Sequence, residues 1–493
     1  MARSDEERGS GRVRNAFAAL VALAVVAAGG MAWQTGWAEE MWDRARGTDG
    51  PPADPASVAP PAGIDVPDVV LPPPLAQPAT GSARLRPAAL KAALAELGDR
   101  DLGRHVLAAV GPLDGRRIAY QSTEGAAVAI PASTTKIVTS AAALFLLGPD
   151  RVFETTTVLD TSATTPRLVL VGGGDPYLAR RPAGPEEGGP SATYQPQGGD
   201  VATLARRSAR ALAQQGVRRV RLAYDDSLFT GPQAHPTWEA DYIPDDVVTP
   251  ITSLWVDQGR EPGSFDRVAD PAATAALEFR HALARNGIRV VGRTLRGAAP
   301  AGATRVGRVS SPNVAQIVQR VLESSDNEAA EVLLRHVGLA DQGDGSFTGG
   351  QVAVERVLTA NGIKLAGTVL YDGSGLSRAN RIAPSLLLGV LRLAASPEHP
   401  ALRPVLSSLP VAGFTGSLTN RMDRAPSEGR GRVRAKTGTL TGVTSLAGIA
   451  VDLDGNLMAF ALLADRVRKP REGLARVAMD NAAASLGACH CGR

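Results

Sequence analysis

Three strand-like runs and a helix close this chain, and a helix and a hairpin open its folded part. Half-sheets at opposite ends can share one sheet only if the residues between them leave it and return. The closing group comprises Val433 to Thr437, Thr444 to Val451 and Leu457 to Leu463, the latter two joined at Asp454-Gly455, then a helix from Glu472 to Leu486. The opening group is a helix from Pro87 to Leu97, then His105 to Val110 and Arg117 to Gln121, turned at Asp114-Gly115. Apolar runs punctuated by Asp-Gly turns mark paired strands. The expected fold class is therefore α/β (α+β): a five-stranded antiparallel sheet packed with helices.

Between these ends, Ile137 to Leu147 is almost wholly apolar and stops at Gly148-Pro149, which predicts a buried helix. From Glu154 to Arg305 the pattern changes to short strands and Gly-rich turns such as Gly172-Gly173-Gly174-Asp175-Pro176. That change predicts an insertion of one or two small β-rich subdomains. Helices resume with Val314 to Leu322, after Ser311-Pro312, and with Glu328 to His336. No fixed period recurs, which excludes a repeat array.

The chain has 493 residues, room for about two to four domains. Its expected divisions are a leader (1–38), a spacer (39–82), a main domain (83–153 with 306–493) and the inserted portion (154–305). In the leader, Asn15 to Ala38 carries no charge and follows Arg8, Arg12 and Arg14, the pattern of an export signal. Cleavage after Ala38 makes it a signal peptide; left in place, it is long enough to anchor the chain in a bilayer. Ten prolines between Pro51 and Pro78 make the next stretch a semi-rigid extended spacer. An exported body on such a stalk works at the outer face of the membrane, in the cell envelope, with membrane contact only through its N-terminal segment. A net charge of +4 over the whole chain offers no face for nucleic acid.

Ser133-Thr134-Thr135-Lys136 places a hydroxyl and an amine three residues apart on one helical face, a nucleophile beside a base. Burial in so apolar a helix lowers the lysine pKa and favours the neutral amine. Alone the motif is weak: composition yields it about 0.3 times by chance, and a capping serine with a snorkelling lysine accounts for it equally well. Lys436-Thr437-Gly438-Thr439, on the first closing strand, is expected only about 0.03 times. Its ammonium and hydroxyls suit a substrate carboxylate, and Gly438 admits a close backbone approach. The bland alternative is an edge lysine that deters aggregation. Ser325-Asp326-Asn327 lies at a helix–helix corner, where it either points into a cleft or simply caps the helix that follows.

Taken in order, Ser-x-x-Lys, Ser-Asp-Asn and Lys-Thr-Gly make the chain resemble the penicillin-binding proteins, specifically the D-alanyl-D-alanine carboxypeptidase/endopeptidase family with a large insertion between the first two motifs. The 188 residues between Lys136 and Ser325 suit that family and are far too many for an ordinary β-lactamase. Gly172 to Leu178, Tyr224 to Ser227, Asp372 to Arg378 and Leu409 to Gly413 also look similar, and the likeness spans about residues 85 to 487. The resemblance implies a serine β-lactamase/transpeptidase-like fold and a serine-type D-Ala-D-Ala carboxypeptidase, or DD-endopeptidase, acting on peptidoglycan stem peptides and acylated by β-lactams. It implies Ser133 as nucleophile, Lys136 as its base and Ser325 as proton relay. Asn327 would orient Lys136 and the substrate amide, and Lys436, Thr437, Gly438 and Thr439 would bind the terminal carboxylate and oxyanion. No cofactor is implied.

Two rivals remain. A β-lactamase needs a dedicated deacylating group, and no Glu-x-x-x-Asn or Tyr-x-Asn stands at a suitable place. An inactive wall-binding protein has no use for the Ser133–Lys136 pair. The six histidines show no metal spacing, and Cys489-His490-Cys491 makes at most a partial metal site. A disulfide spanning one residue would be strained, so the two cysteines are not expected to form a framework.

Overall fold

The two ends of the chain do share one sheet. The computed structural model describes residues 85–122, 127–182, 195–264, 266–424 and 426–492. The expected leader and spacer lie outside the described residues, as does most of the stretch from Arg181 to Gly199. In chain order the strands are β1 (Val106–Pro112), β2 (Tyr120–Gln121), β3 (Glu154–Asp160), β4 (Arg167–Val171), β5 (Arg219–Asp225), β6 (Arg289–Val290), β7 (Leu295–Arg296), β8 (Thr304–Ser310), β9 (Val433–Leu440), β10 (Val443–Val451) and β11 (Leu457–Ala464). The α-helices are α1 (Pro87–Ala93), α2 (Thr135–Leu147), α3 (Val201–Gln214), α4 (Pro271–Arg285), α5 (Val314–Ser324), α6 (Asn327–Gln342), α7 (Phe347–Ala360), α8 (Pro384–Ala395), α9 (Arg403–Ser407) and α10 (Glu472–Ala488).

The five-stranded sheet runs β2-β1-β11-β10-β9, with every neighbour antiparallel. Both of its faces are buried, which explains why β11 reads as an unbroken apolar run instead of alternating. Val110, Phe460, Leu462 and Ala435 pack with α1 and α10. Leu107, Ala461, Leu463 and Ala447 pack on the opposite face with α2, α5, α6, α7 and α8. Lys436 pairs in register with Ala447, so strand alternation aims it at the α2 side. Helix α2 stops where expected, at Gly148 with φ 78°.

The middle segment carries more than strands. Its sheet is β6-β5-β4-β3-β8, with β7 also on β5; β3 pairs antiparallel with β4 and β8, while β4, β6 and β7 run parallel to β5. A parallel pair needs a crossover, and α3 supplies it between β4 and β5. Helices α3 and α4 bury Leu204, Leu212, Phe279 and Leu283 against Leu168, Leu170 and Leu222. The β-rich description therefore omits two helices.

Cys489 and Cys491 are joined by a disulfide, with Cα atoms 5.3 Å apart, against the expectation from their spacing. Backbone at Cys489 is extended as the chain leaves α10, and alternate residues of extended chain point the same way. The Cys491 carbonyl accepts from Arg86 N at 2.8 Å, tying the tail to the start of α1.

Candidate active site

Ser133 stands in a short 3-10 turn, Ala132–Thr134, that leads directly into α2 at Thr135. Ala132 has φ 48°, a left-handed conformation that costs a non-glycine residue about 1–2 kcal/mol. The surroundings enforce it. Thr135 Oγ1 donates to the Ala132 carbonyl at 2.9 Å, and Ser445 Oγ on β10 donates to the Pro131 carbonyl at 2.7 Å. Gly375 lies so close that a Cβ there would sit 1.9 Å from the Ala132 oxygen.

Gly438 has a structural part besides the one expected. A Cβ at this position would meet Ser445 Oγ at 2.1 Å, the Pro131 oxygen at 2.5 Å and Ser133 N at 3.1 Å. The bare strand thus lets the turn that carries Ser133 dock on β9, which brings the first and third motifs together.

Of five lysines in the chain, Lys91, Lys364 and Lys469 are exposed, while Lys136 and Lys436 are wholly buried. Lys136 Nζ donates to Ser133 Oγ at 3.0 Å, Asn327 Oδ1 at 2.8 Å and the Ser374 carbonyl at 2.7 Å. Burial lowers its pKa to about 8, opposed by the nearby carboxylates of Glu331 and Asp372. The three partners matter because two of them, an amide oxygen and a backbone carbonyl, can only accept. A neutral amine keeps two N–H groups for those two, so its lone pair is left facing the one partner with a proton to give, Ser133.

Asn327 opens α6 and sits on the face that meets α2; its Nδ2 donates to the Val247 carbonyl at 3.1 Å. Ser325 forms the corner between α5 and α6 with φ 65°. It is half-buried, and among the described residues its hydroxyl makes no hydrogen bond. Lys436 turns its ammonium onto the Thr437 carbonyl at 2.9 Å, and its pKa falls well below the usual lysine value through burial, with Lys136 and Arg421 adding repulsion. Thr439 is the exposed residue of this motif, while Thr437 is buried and its Oγ1 donates to Ser417 Oγ at 3.0 Å.

Three contributors escaped the sequence reading. Glu331, one turn after Asn327, accepts from the amides of Gly373 at 3.0 Å and Ser374 at 2.7 Å and thereby sets the carbonyl that Lys136 uses. Burial, with Asp372 adding, pushes its pKa up to about 8. Ser374 lies in the similar stretch from Asp372 to Arg378, to which no role had been attached, and Ser417 had no signal at all. The i, i+4 spacing of Asn327 and Glu331 was available as a clue. Among the described residues no His, Cys, Asp and Glu cluster could hold a metal. A cavity of about 1200 Å³, lined among others by Asp114, Lys364, Arg392 and His399, includes none of the motif residues.

The family described as D-Ala-D-Ala carboxypeptidase 3 (S13) matches residues 89–267 and 261–486. The chain belongs to that family. It is 35% identical to a carboxypeptidase of Mycobacterium tuberculosis over 82% of this chain and 85% of that one. It is 34% identical to the carboxypeptidase DacB of Mycolicibacterium smegmatis over 73% and 76%. Penicillin-binding protein 4 of Haemophilus influenzae shares the fold, with a TM-score of 0.64 at 21% identity over 80% of this chain and 97% of that one. The protein is a serine-type D-Ala-D-Ala carboxypeptidase, a hydrolase of the penicillin-binding type that acts in the cell envelope, outside the cytoplasm.

Proposed function

We propose that this carboxypeptidase removes the terminal D-alanine from peptidoglycan stem peptides by the following division of labour. Ser133 Oγ attacks the carbonyl carbon of the penultimate D-alanine while the neutral amine of Lys136 takes its proton. The N–H groups of Ser133 and Thr439 receive the oxyanion. The Ser325 hydroxyl passes a proton to the leaving amine, D-alanine departs, and water cleaves the acyl-enzyme. Thr437 and Thr439 hold the terminal carboxylate, with the Lys436 charge behind them and Gly438 keeping strand and turn in contact. Asn327 orients Lys136 and the substrate amide.

The observation that carries this reading is the set of three partners around Lys136, which directs a lone pair at Ser133. A module that only held wall peptides would have no need of it. β-Lactams, which present a strained amide and a carboxylate, should acylate the same serine, and a solved structure of the Haemophilus influenzae protein is described as complexed with a β-lactam. In this reading residues 1–38 export or anchor the chain, 39–82 space it from the membrane, and 154–305 form an inserted portion of a domain built from 83–153 and 306–493. Incubating the full chain with a fluorescent penicillin tests the assignment. The wild type should be covalently labelled, and Ser133→Ala should remain unlabelled with an unchanged melting temperature. Equal labelling of both would refute it. Mass spectrometry of digested wall fragments reads whether cross-linked stem peptides are cut as well.

A further inference from the structure

The three residues that open α6 are each gripped from outside the motif, by the middle segment. Asp326 caps the helix through Ala329 N at 2.9 Å, which is all that capping requires. Its carboxylate nevertheless receives more: Gln258 Nε2 at 3.0 and 2.9 Å from its two oxygens, and the Tyr177 hydroxyl at 3.2 Å. Asn327 Nδ2 is held by the Val247 carbonyl at 3.1 Å, and Glu328 pairs with Arg267 and accepts from Thr249 N at 3.3 Å.

The loop that delivers Gln258 is itself strained. Asp257, Gln258 and Gly259 lie consecutively in the left-handed region, with φ 50°, 54° and 70°. Two non-glycine residues in that conformation persist only where their surroundings over-determine them, and such strain gathers at functional sites. Here Thr249 Oγ1 and Arg267 bind the Gln258 carbonyl at 2.6 and 3.4 Å, and Asp257 N donates to the Leu178 carbonyl at 2.9 Å, next to Tyr177.

We infer that Gln258 and Tyr177 are positioning residues for the catalytic amine, fixing Asp326 and through it the start of α6 so that Asn327 Oδ1 stays aimed at Lys136. The inference rests on the roles given above to Asn327 and Lys136. It makes the middle segment a working part of the site and not an appendage. Neither residue touches the reacting atoms; both act through a carboxylate that neighbours the motif amide.

The experiment measures penicillin acylation of the full chain, separating the covalent rate constant from non-covalent affinity. Gln258→Leu should slow the covalent step about tenfold, and Tyr177→Phe about threefold, with affinity within about twofold of wild type. In an Asn327→Ala background, Gln258→Leu should add less than about twofold, because the group it acts through is gone. Tyr177→Phe removes one oxygen atom and reports even if Gln258→Leu folds poorly, and melting curves identify that case. Wild-type acylation rates in both single variants, or full multiplication of Gln258→Leu with Asn327→Ala, would overturn the inference while leaving the Ser133 assignment intact. Labelling of Ser133→Ala would instead sink the underlying reading.

Discussion

Replacing Asn327 by alanine tests the proposal that the site makes a base of Lys136. The ammonium has three donors and three acceptors, Ser133 Oγ, Asn327 Oδ1 and the Ser374 carbonyl. With the amide oxygen removed, a neutral amine can donate to both remaining partners, and its lone pair is no longer committed to Ser133. A hydrogen bond to a charged group is worth about 1.5–3 kcal/mol, and about 1.4 kcal/mol is tenfold in rate, so acylation should fall by roughly 10- to 100-fold. The pH dependence should move as well. An amide oxygen stabilises the ammonium more than the amine, so its loss lowers a pKa that already stands at about 8. The wild-type acylation rate should rise with pH on a limb centred near that value, and in Asn327→Ala the limb should shift to lower pH beneath a depressed plateau. Stopped-flow acylation by a chromogenic β-lactam, measured from about pH 5 to 10, reads both quantities. A plateau within twofold of wild type, or a limb displaced to higher pH, would refute the argument.

Gly438→Ala puts a methyl group 2.5 Å from the Pro131 carbonyl and 3.1 Å from Ser133 N, both backbone atoms that cannot rotate away. It should cost about 1–3 kcal/mol in urea unfolding and slow acylation together, and a variant as stable and active as wild type would show that the turn does not depend on this approach. Lys436→Met should raise stability at neutral pH while weakening turnover of peptides with a free carboxylate. Because burial holds the native pKa well below 10.5, the unfolded chain binds the proton more readily; native stability rises with pH between those two values, and the variant's advantage should fade as pH approaches 10.5. Melting curves at neutral and high pH check the sign, and an advantage that grew with pH would contradict it.

The main sheet was legible because its strands carry long apolar runs bounded by Asp-Gly turns, and because β9, β10 and β11 are consecutive, so their pairing needs only local turns. Helix α3 was legible and was passed over: its buried residues, Val201, Leu204, Ala205, Ser208, Ala209 and Leu212, follow helical spacing with the arginines on the opposite face, an amphipathic stripe as clear as that of α5. Helix α4 carries a start signal, Asp270 before Pro271, and apolar residues at helical spacing, Ala272, Ala275, Ala276, Phe279, Ala282 and Leu283, but its stripe is mostly alanine and so reads weakly. In the site, motifs located Ser133, Lys136, Asn327 and Lys436, because their chemistry fixes side-chain type at short spacing. Ser374 contributes a backbone carbonyl, and Glu331 acts on backbone amides. Contacts to the main chain leave little trace in residue identity, and that is why both were missed.

The same burial drives both site amines toward neutrality, yet the proposed chemistry wants them in opposite states. Carboxylates raise the pKa of Lys136, chiefly Glu331 and Asp372, whereas the charges that act on Lys436 are the cations of Lys136 and Arg421, and both depress it. The resting site is therefore short of one negative charge beside Lys436. A substrate carboxylate arriving at Thr437 would supply it and favour the protonated form of Lys436. The resulting cation would in turn press Lys136 further toward the free amine. Under the proposed mechanism, binding of the correct terminus and activation of Ser133 would be coupled through the repulsion of two lysines, giving the carboxylate a role in the rate of attack beyond holding the peptide in place.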